Sequence, residues 1–253
     1  MKTMNKIVVK VGTSTLTQGG QKLSRRTMLG LVEQVVHLQS LGKEILIVSS
    51  GAVAAGREFI NGSTPTKPLF ASVGQVRLMQ AWAELFSLFD LYVGQVLLTR
   101  DDFSLHARTR ETLEGLLSHR IIPVINENDA MATHENRIGD NDNLAALVAN
   151  LVKADALILL TDQEGLYTAD PRLDPAAKLI SLVKSIDDAI YALAGSTSSS
   201  VGTGGMATKI AAVQVAAKTG VRTIIASSLR PNVLIDIAEG KSVGTLFMKE
   251  ASV

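Results

Sequence analysis

Six short apolar runs, rich in β-branched residues, recur along the chain: Lys6–Val11, Ile45–Val48, Val93–Leu98, Ile121–Ile125, Leu157–Leu160 and Thr223–Ala226. Within each run the apolar positions are nearly continuous. This predicts strands covered on both faces, as in a parallel sheet held between helix layers. A polar or small residue follows each run, and then a longer segment with apolar positions at helical spacing. The spacing predicts helices over Arg25–Leu41, Val73–Phe89, Thr109–His119, Asn143–Val152 and Met206–Thr219, with a shorter one over Ala52–Glu58. Alternation of this kind reads as an α/β fold, in which ligands gather beyond the C-terminal ends of the strands. Asn61–Pro68 and the Ser/Thr/Gly-rich Ala194–Gly205 read as loops. No linker, repeat or charge block divides the chain, so residues 1–253 are expected to form one domain.

Composition narrows the class. With 253 residues and 46% hydrophobic content the chain can bury one large core. Lys and Arg together number 25 against 24 acids, a balance that argues against a nucleic-acid coat protein or a membrane-surface binder. There is no Cys, which excludes disulfides and thiolate metal sites and fits a reducing compartment. No apolar stretch approaches the roughly 20 residues that cross a bilayer. Lys6 and Lys10 interrupt the N-terminal segment, so it lacks a signal peptide's apolar region. A cytoplasmic protein with no membrane or nucleic-acid partner is the expectation.

Five polar clusters stand out, the first four of them at predicted strand ends. In Lys10-Val11-Gly12-Thr13-Ser14 a lysine closes a buried strand, where its ammonium is costly unless it meets an anion. Gly12 would let the backbone approach that anion; the plainer reading is a strand end with a solvated lysine. Ser49-Ser50-Gly51-Ala52 forms a strand–turn–helix junction that would aim N–H groups at a bound anion, unless a serine merely caps the helix. Asn126-Glu127-Asn128-Asp129 and Gly139-Asp140-Asn141-Asp142-Asn143 crowd carboxylates at one sheet edge, where they repel unless cations intervene. Two well-capped loops are the alternative. Thr161-Asp162-Gln163-Glu164-Gly165 either holds a ligand or turns the chain. Gly202-Thr203-Gly204-Gly205-Met206-Ala207-Thr208-Lys209 is not a P-loop, because Thr208 rather than Gly precedes the lysine and Ile210 follows it. Nor does it follow a strand, as a dinucleotide fingerprint would. It reads as a loop that opens a helix, with Lys209 one turn in. The four histidines show no metal-ligand spacing, and Trp82 and the methionines read as core.

In this order, from Val9-Lys10-Val11-Gly12-Thr13-Ser14 to Gly244-Thr245-Leu246-Phe247, the clusters resemble the amino acid kinase family. Within it they resemble members that phosphorylate the side-chain carboxylate of L-glutamate. The segments Ser49-Ser50-Gly51-Ala52-Val53-Ala54-Ala55-Gly56-Arg57, Val73-Gly74-Gln75 and Leu160-Thr161-Asp162-Gln163-Glu164-Gly165-Leu166-Tyr167 carry much of the likeness. The resemblance implies a three-layer αβα sandwich around a mainly parallel sheet of about eight strands, with a substrate half followed by a nucleotide half. It implies ATP as cosubstrate and Mg²⁺ as cofactor, with no protein ligand expected for the metal. Lys10 and Lys209 would hold the transferring phosphoryl group, and Asp142 would orient both lysines. Ser50, Gly51, Asp129 and Asn141 would bind glutamate, with Asp140 close by. Lys10, Gly12, Thr13, Thr161, Asp162 and Thr203, Gly204, Gly205, Met206, Ala207, Thr208 and Lys209 would line the ATP site.

A free α-amino group wants carboxylates in its pocket, and Asp129 and Asp140 would supply them; an N-acetylated substrate would not need that pair. The resemblance further implies a homo-oligomer, feedback inhibition by proline, and hand-over of the product to a following enzyme. Many bacterial relatives append a PUA domain, a small RNA-binding type of module. This chain reaches only Val253, so none is expected.

Overall fold

The computed structural model describes residues 4–60, 66–195 and 205–248. They form one eight-stranded sheet with helices on both faces. In chain order the strands are β1 (Lys6–Val11), β2 (Glu44–Ser49), β3 (Val93–Leu98), β4 (Ile122–Glu127), β5 (Ala156–Thr161), β6 (Leu182–Val183), β7 (Arg222–Ser227) and β8 (Thr245–Phe247). The helices are α1 (Thr13–Thr17), α2 (Arg25–Ser40), α3 (Ala52–Arg57), α4 (Lys67–Ser87), α5 (His106–Ser118), α6 (Asn141–Leu151), α7 (Asp188–Ala194), α8 (Met206–Ala217) and α9 (Val233–Ala238).

The strand order is β3-β4-β2-β1-β5-β7-β8-β6. Neighbours run parallel except β7 and β8. Consecutive strands leave β1 toward β2 on one side, whereas β5 lies on its other side. The C-terminal end of β1 is therefore a topological switch point, the place where open α/β sheets leave a crevice.

Alternation along β1 sorts its side chains between two cores. Ile7, Val9 and Val11 join the layer that α2, α4 and α9 build on one face. Val8 points to the opposite layer, built with α6 and α8. Period two places Lys10 on that second face, beneath the first turns of α6 and α8.

Two close approaches shape the substrate edge. A Cβ on Gly74 of α4 would lie 1.8 Å from the Ala52 carbonyl oxygen, and one on Gly56 of α3 would lie 1.9 Å from that of Phe70. The two helices touch backbone to backbone, which no side chain larger than hydrogen permits. Gly51 turns the chain from β2 into α3 at φ +103°, a conformation that L side chains rarely adopt.

Several expectations need correction. α4 begins at Lys67, six residues before the predicted Val73, because Pro68 sits in the first turn, where its missing N–H is harmless. α5 likewise begins at His106 rather than Thr109. α1, α7 and α9 and the short strands β6 and β8 were not anticipated. Trp82 and Met28 are core, but Met131 and Met248 are exposed.

Candidate active site

Three side chains from three elements meet at the switch point. Asp142, in the first turn of α6, is 1% exposed. Its Oδ1 lies 2.7 Å from Lys10 Nζ of β1 and its Oδ2 lies 3.1 Å from Lys209 Nζ of α8. Both lysines are buried as well. The Thr208 hydroxyl stands 3.2 Å from the same Oδ2 and 2.8 Å from the Gly205 carbonyl oxygen. Two cations share one carboxylate, so the buried group carries one positive charge in excess.

The electrostatics follow from that count. Burial pushes the Lys10 pKa below the usual 10.5, and Lys209 pushes the same way, while Asp142 opposes both. Burial acts to raise the Asp142 pKa, but the two ammonium groups outweigh it, and the net shift is downward. Burial raises the Asp140 pKa, with the neighbouring Asp142 charge adding to it.

Gly12 stands over this cluster, where a Cβ would be 3.5 Å from Lys10 Nζ. It is the N-cap of α1 with no side-chain cap. Thr13 is the first residue of that helix, so the leading N–H groups have no partner within it. Thr161 ends β5 on the other flank and donates its hydroxyl to Asp162 Oδ1 at 3.0 Å. Gly205, Met206, Ala207 and Thr208 open α8 and bring Lys209 in from above. Thr203 and Gly204 lie outside the described residues.

On the β2–β4 side a chain of hydrogen bonds fixes the other candidates. Asn141 Nδ2 donates to Ser50 Oγ and to Asn126 Oδ1, both at 2.9 Å. Asn126 Nδ2 donates to Gln75 Oε1 at 2.9 Å. Ser49 is buried and accepts a 3.0 Å bond from the Trp82 indole N–H. Neither serine caps α3, whose N-cap is Gly51, so the capping alternative does not hold. Asp140 caps α6 instead, its Oδ1 accepting from the Asn143 N–H at 2.8 Å. Glu127 accepts from the Ile138 N–H at 2.5 Å and closes the loop between β4 and α6. Asp129 is paired with Lys67 Nζ at 2.9 Å.

Sequence reasoning named Lys10, Asp142 and Lys209, and the structure brings them together. Ser50, Gly51 and Asn141 adjoin them, while Asp129 stands further along the edge, beyond β4. Gln75, Asn126 and Lys67 received no role. Gln75 and Asn126 lie inside motifs already singled out, and their burial is the signal that finds them; Lys67 gave none. Among the described residues no cluster of three or more His, Asp or Glu side chains could cage a metal.

A buried lysine pair on one aspartate thus stands at the switch point of a mainly parallel sheet, with one positive charge in excess. The model of the amino acid kinase family matches residues 5–227, and the chain belongs to that family. It is 51% identical to the glutamate 5-kinase of Pasteurella multocida over 99% of this chain and 71% of that protein. It is 52% identical to the glutamate 5-kinase of Enterobacter sp. strain 638 over 97% of this chain and 69% of that protein. A UMP kinase of Bacillus anthracis shares the fold, with a TM-score of 0.67 over 100% of this chain and 99% of that one at 15% identity.

Proposed function

We propose that this chain transfers the γ-phosphoryl group of ATP to the side-chain carboxylate of L-glutamate, giving ADP and L-glutamyl 5-phosphate. The observation that carries the reading is the buried Lys10–Asp142–Lys209 bridge at the end of β1. Its excess positive charge fits a polyphosphate. The glutamate 5-kinase relatives support the choice of acceptor.

The acceptor carboxylate has an ordinary pKa near 4.3 and is ionised at neutral pH, so no general base is needed. The obstacle is repulsion between that anion and the phosphates, and removing it requires alignment and charge neutralisation. Lys10 and Lys209 face the transferring group from opposite sides, and Asp142 keeps both ammonium groups in place. Gly12, Thr13 and the first turn of α8 direct backbone N–H groups at the phosphates; Thr161 and Asp162 border the nucleotide. Ser50 and Asn141 hold the acceptor carboxylate in line, and Asp129 takes the substrate ammonium. Mg²⁺, when bound with ATP, would supply further charge neutralisation; such an ion is usually held through substrate phosphates and water with one or two carboxylates rather than by an all-protein cage.

The chain works in the cytoplasm as a homo-oligomer and hands its labile acyl phosphate to a following enzyme. Proline, which keeps the α-carboxylate and α-nitrogen of glutamate, competes at the same pocket. One assay tests the reading: ADP release with ATP and Mg²⁺ in the presence of glutamate, acetylglutamate, aspartate, carbamate or UMP, with hydroxylamine to trap an acyl phosphate. Glutamate should give ADP and hydroxamate in equal amounts, and proline should inhibit most at low glutamate. ADP release driven by UMP or acetylglutamate instead would overturn the assignment.

A further inference from the structure

We propose that Lys67 determines specificity by binding the α-carboxylate of the amino acid substrate while Asp129, beside it, takes the α-ammonium. The inference rests on the glutamate reading of the site and extends it to a residue with no assigned role.

Lys67 is oddly placed for a structural lysine. It is the first residue of α4, a helix of 21 residues whose first turn holds no acidic side chain. A helix N-terminus carries partial positive charge, so a cation there opposes the dipole. The compensation comes from outside the helix, where Lys67 Nζ donates to Asp129 Oδ1 at 2.9 Å. The Asp129 side chain is 12% exposed and that of Lys67 46%. An ammonium has three donors and this contact uses one; a carboxylate likewise keeps acceptor capacity on its second oxygen. The pair thus presents a donor cation next to an acceptor anion, the complement of an amino acid's charged head.

Position supports the pairing. Asp129 follows the end of β4, and β2 separates β4 from β1. Strands lie about 4.8 Å apart, so the pair sits roughly 10 Å along the sheet edge from Lys10. Ser50, at the end of β2, and Asn141, bonded to it, lie between. A substrate whose head is held at Lys67 and Asp129 extends its distal carboxylate toward Lys10. That geometry calls for two charged groups at the head and a third at the tail.

Steady-state kinetics of Lys67→Met and Lys67→Arg, at saturating ATP, test this with L-glutamate and L-isoglutamine, in which an amide replaces the α-carboxylate. Lys67→Met should raise the glutamate KM about tenfold to a hundredfold, the range for one charge-assisted hydrogen bond. Its kcat and its KM for ATP should stay within about threefold. The isoglutamine kcat/KM should hardly change, so that discrimination between the two acceptors narrows; Lys67→Arg should recover part of it. A glutamate KM within about threefold of wild type overturns the proposal. Equal losses for both acceptors also overturn it, because Lys67 would then only hold Asp129. So does a lower glutamate KM, which would make Lys67 a competitor of the substrate ammonium. Wild-type protein inactive with glutamate would remove the functional reading as well, whereas the other outcomes remove this inference alone.

Discussion

Replacing Asp142 by Asn removes one charge and almost no volume from a site that is 1% exposed. Two ammonium groups, held at 2.7 and 3.1 Å from the carboxylate, then face a neutral amide whose NH₂ repels one of them. Breaking a buried pair by deleting one partner costs about 3–5 kcal/mol. For a chain of this length each kcal/mol lowers Tm by about 2–4 °C, so the variant should melt roughly 6–20 °C below wild type. Turnover should fall at least 10²- to 10³-fold, the usual loss for one displaced transition-state charge stabiliser, because both lysines lose their anchor. The ATP KM should rise little, since a more positive site still attracts phosphates. Lys10→Met gives the opposite stability sign: it leaves Asp142 and Lys209 as a neutral pair and removes a lysine whose pKa burial already depresses. It should melt no lower than wild type while losing turnover as heavily. The double variant should melt above Asp142→Asn and be little slower than the poorer single, as residues acting as a unit are non-additive. Thermal melts and kcat of the four proteins decide the matter. An Asp142→Asn protein that melts within 2 °C of wild type, or turns over within about tenfold of it, would refute the reasoning.

Asp129→Asn should raise the glutamate KM about tenfold to a hundredfold with little change for ATP, in keeping with one charge-assisted contact; a larger change for ATP would move Asp129 to the nucleotide side. The alkaline limb of kcat/KM for ATP should fall below pH 10.5, because Lys10 loses its ammonium as pH rises through a pKa that burial has lowered. Bound phosphates favour the ammonium, so the limb of kcat should lie at higher pH; coincident limbs above pH 10.5 would count against Lys10. At the acid end the sign reverses. The Asp142 pKa is lowered from 3.8, so its stabilisation is complete above that value and is lost as pH falls through the folded pKa.

The central strands were legible because they are buried on both sides and have no choice but to be apolar, and β1 falls where its run falls; the edge strand β3 also matches its run, although only Leu98 of it is buried. β8 was not, since three residues on an antiparallel neighbour carry no pattern of their own. The first turn and a half of α4 hid behind Pro68, which reads as a breaker unless the helix start is already known. At the site, the types and positions of Lys10, Asp142 and Lys209 could be named through family likeness, yet no spacing joins them. Only the topology, which sets α6 and α8 over one face of β1, makes them neighbours. The Gln75–Asn126–Asn141 chain depends on the α3–α4 contact, and the Lys67–Asp129 pair on where α4 begins. Neither is a local property of the sequence.

The opening of α6 gives three successive residues three different assignments: Asp140 caps the helix, Asn141 reaches Ser50 and Asn126, and Asp142 bridges the lysines. Each step along a helix rotates the side chain by about 100°, so a one-residue insertion or deletion here would turn every one of them to the wrong neighbour at once. Lys67 and Asp129 stand outside this triplet, so a substitution at either leaves its register untouched.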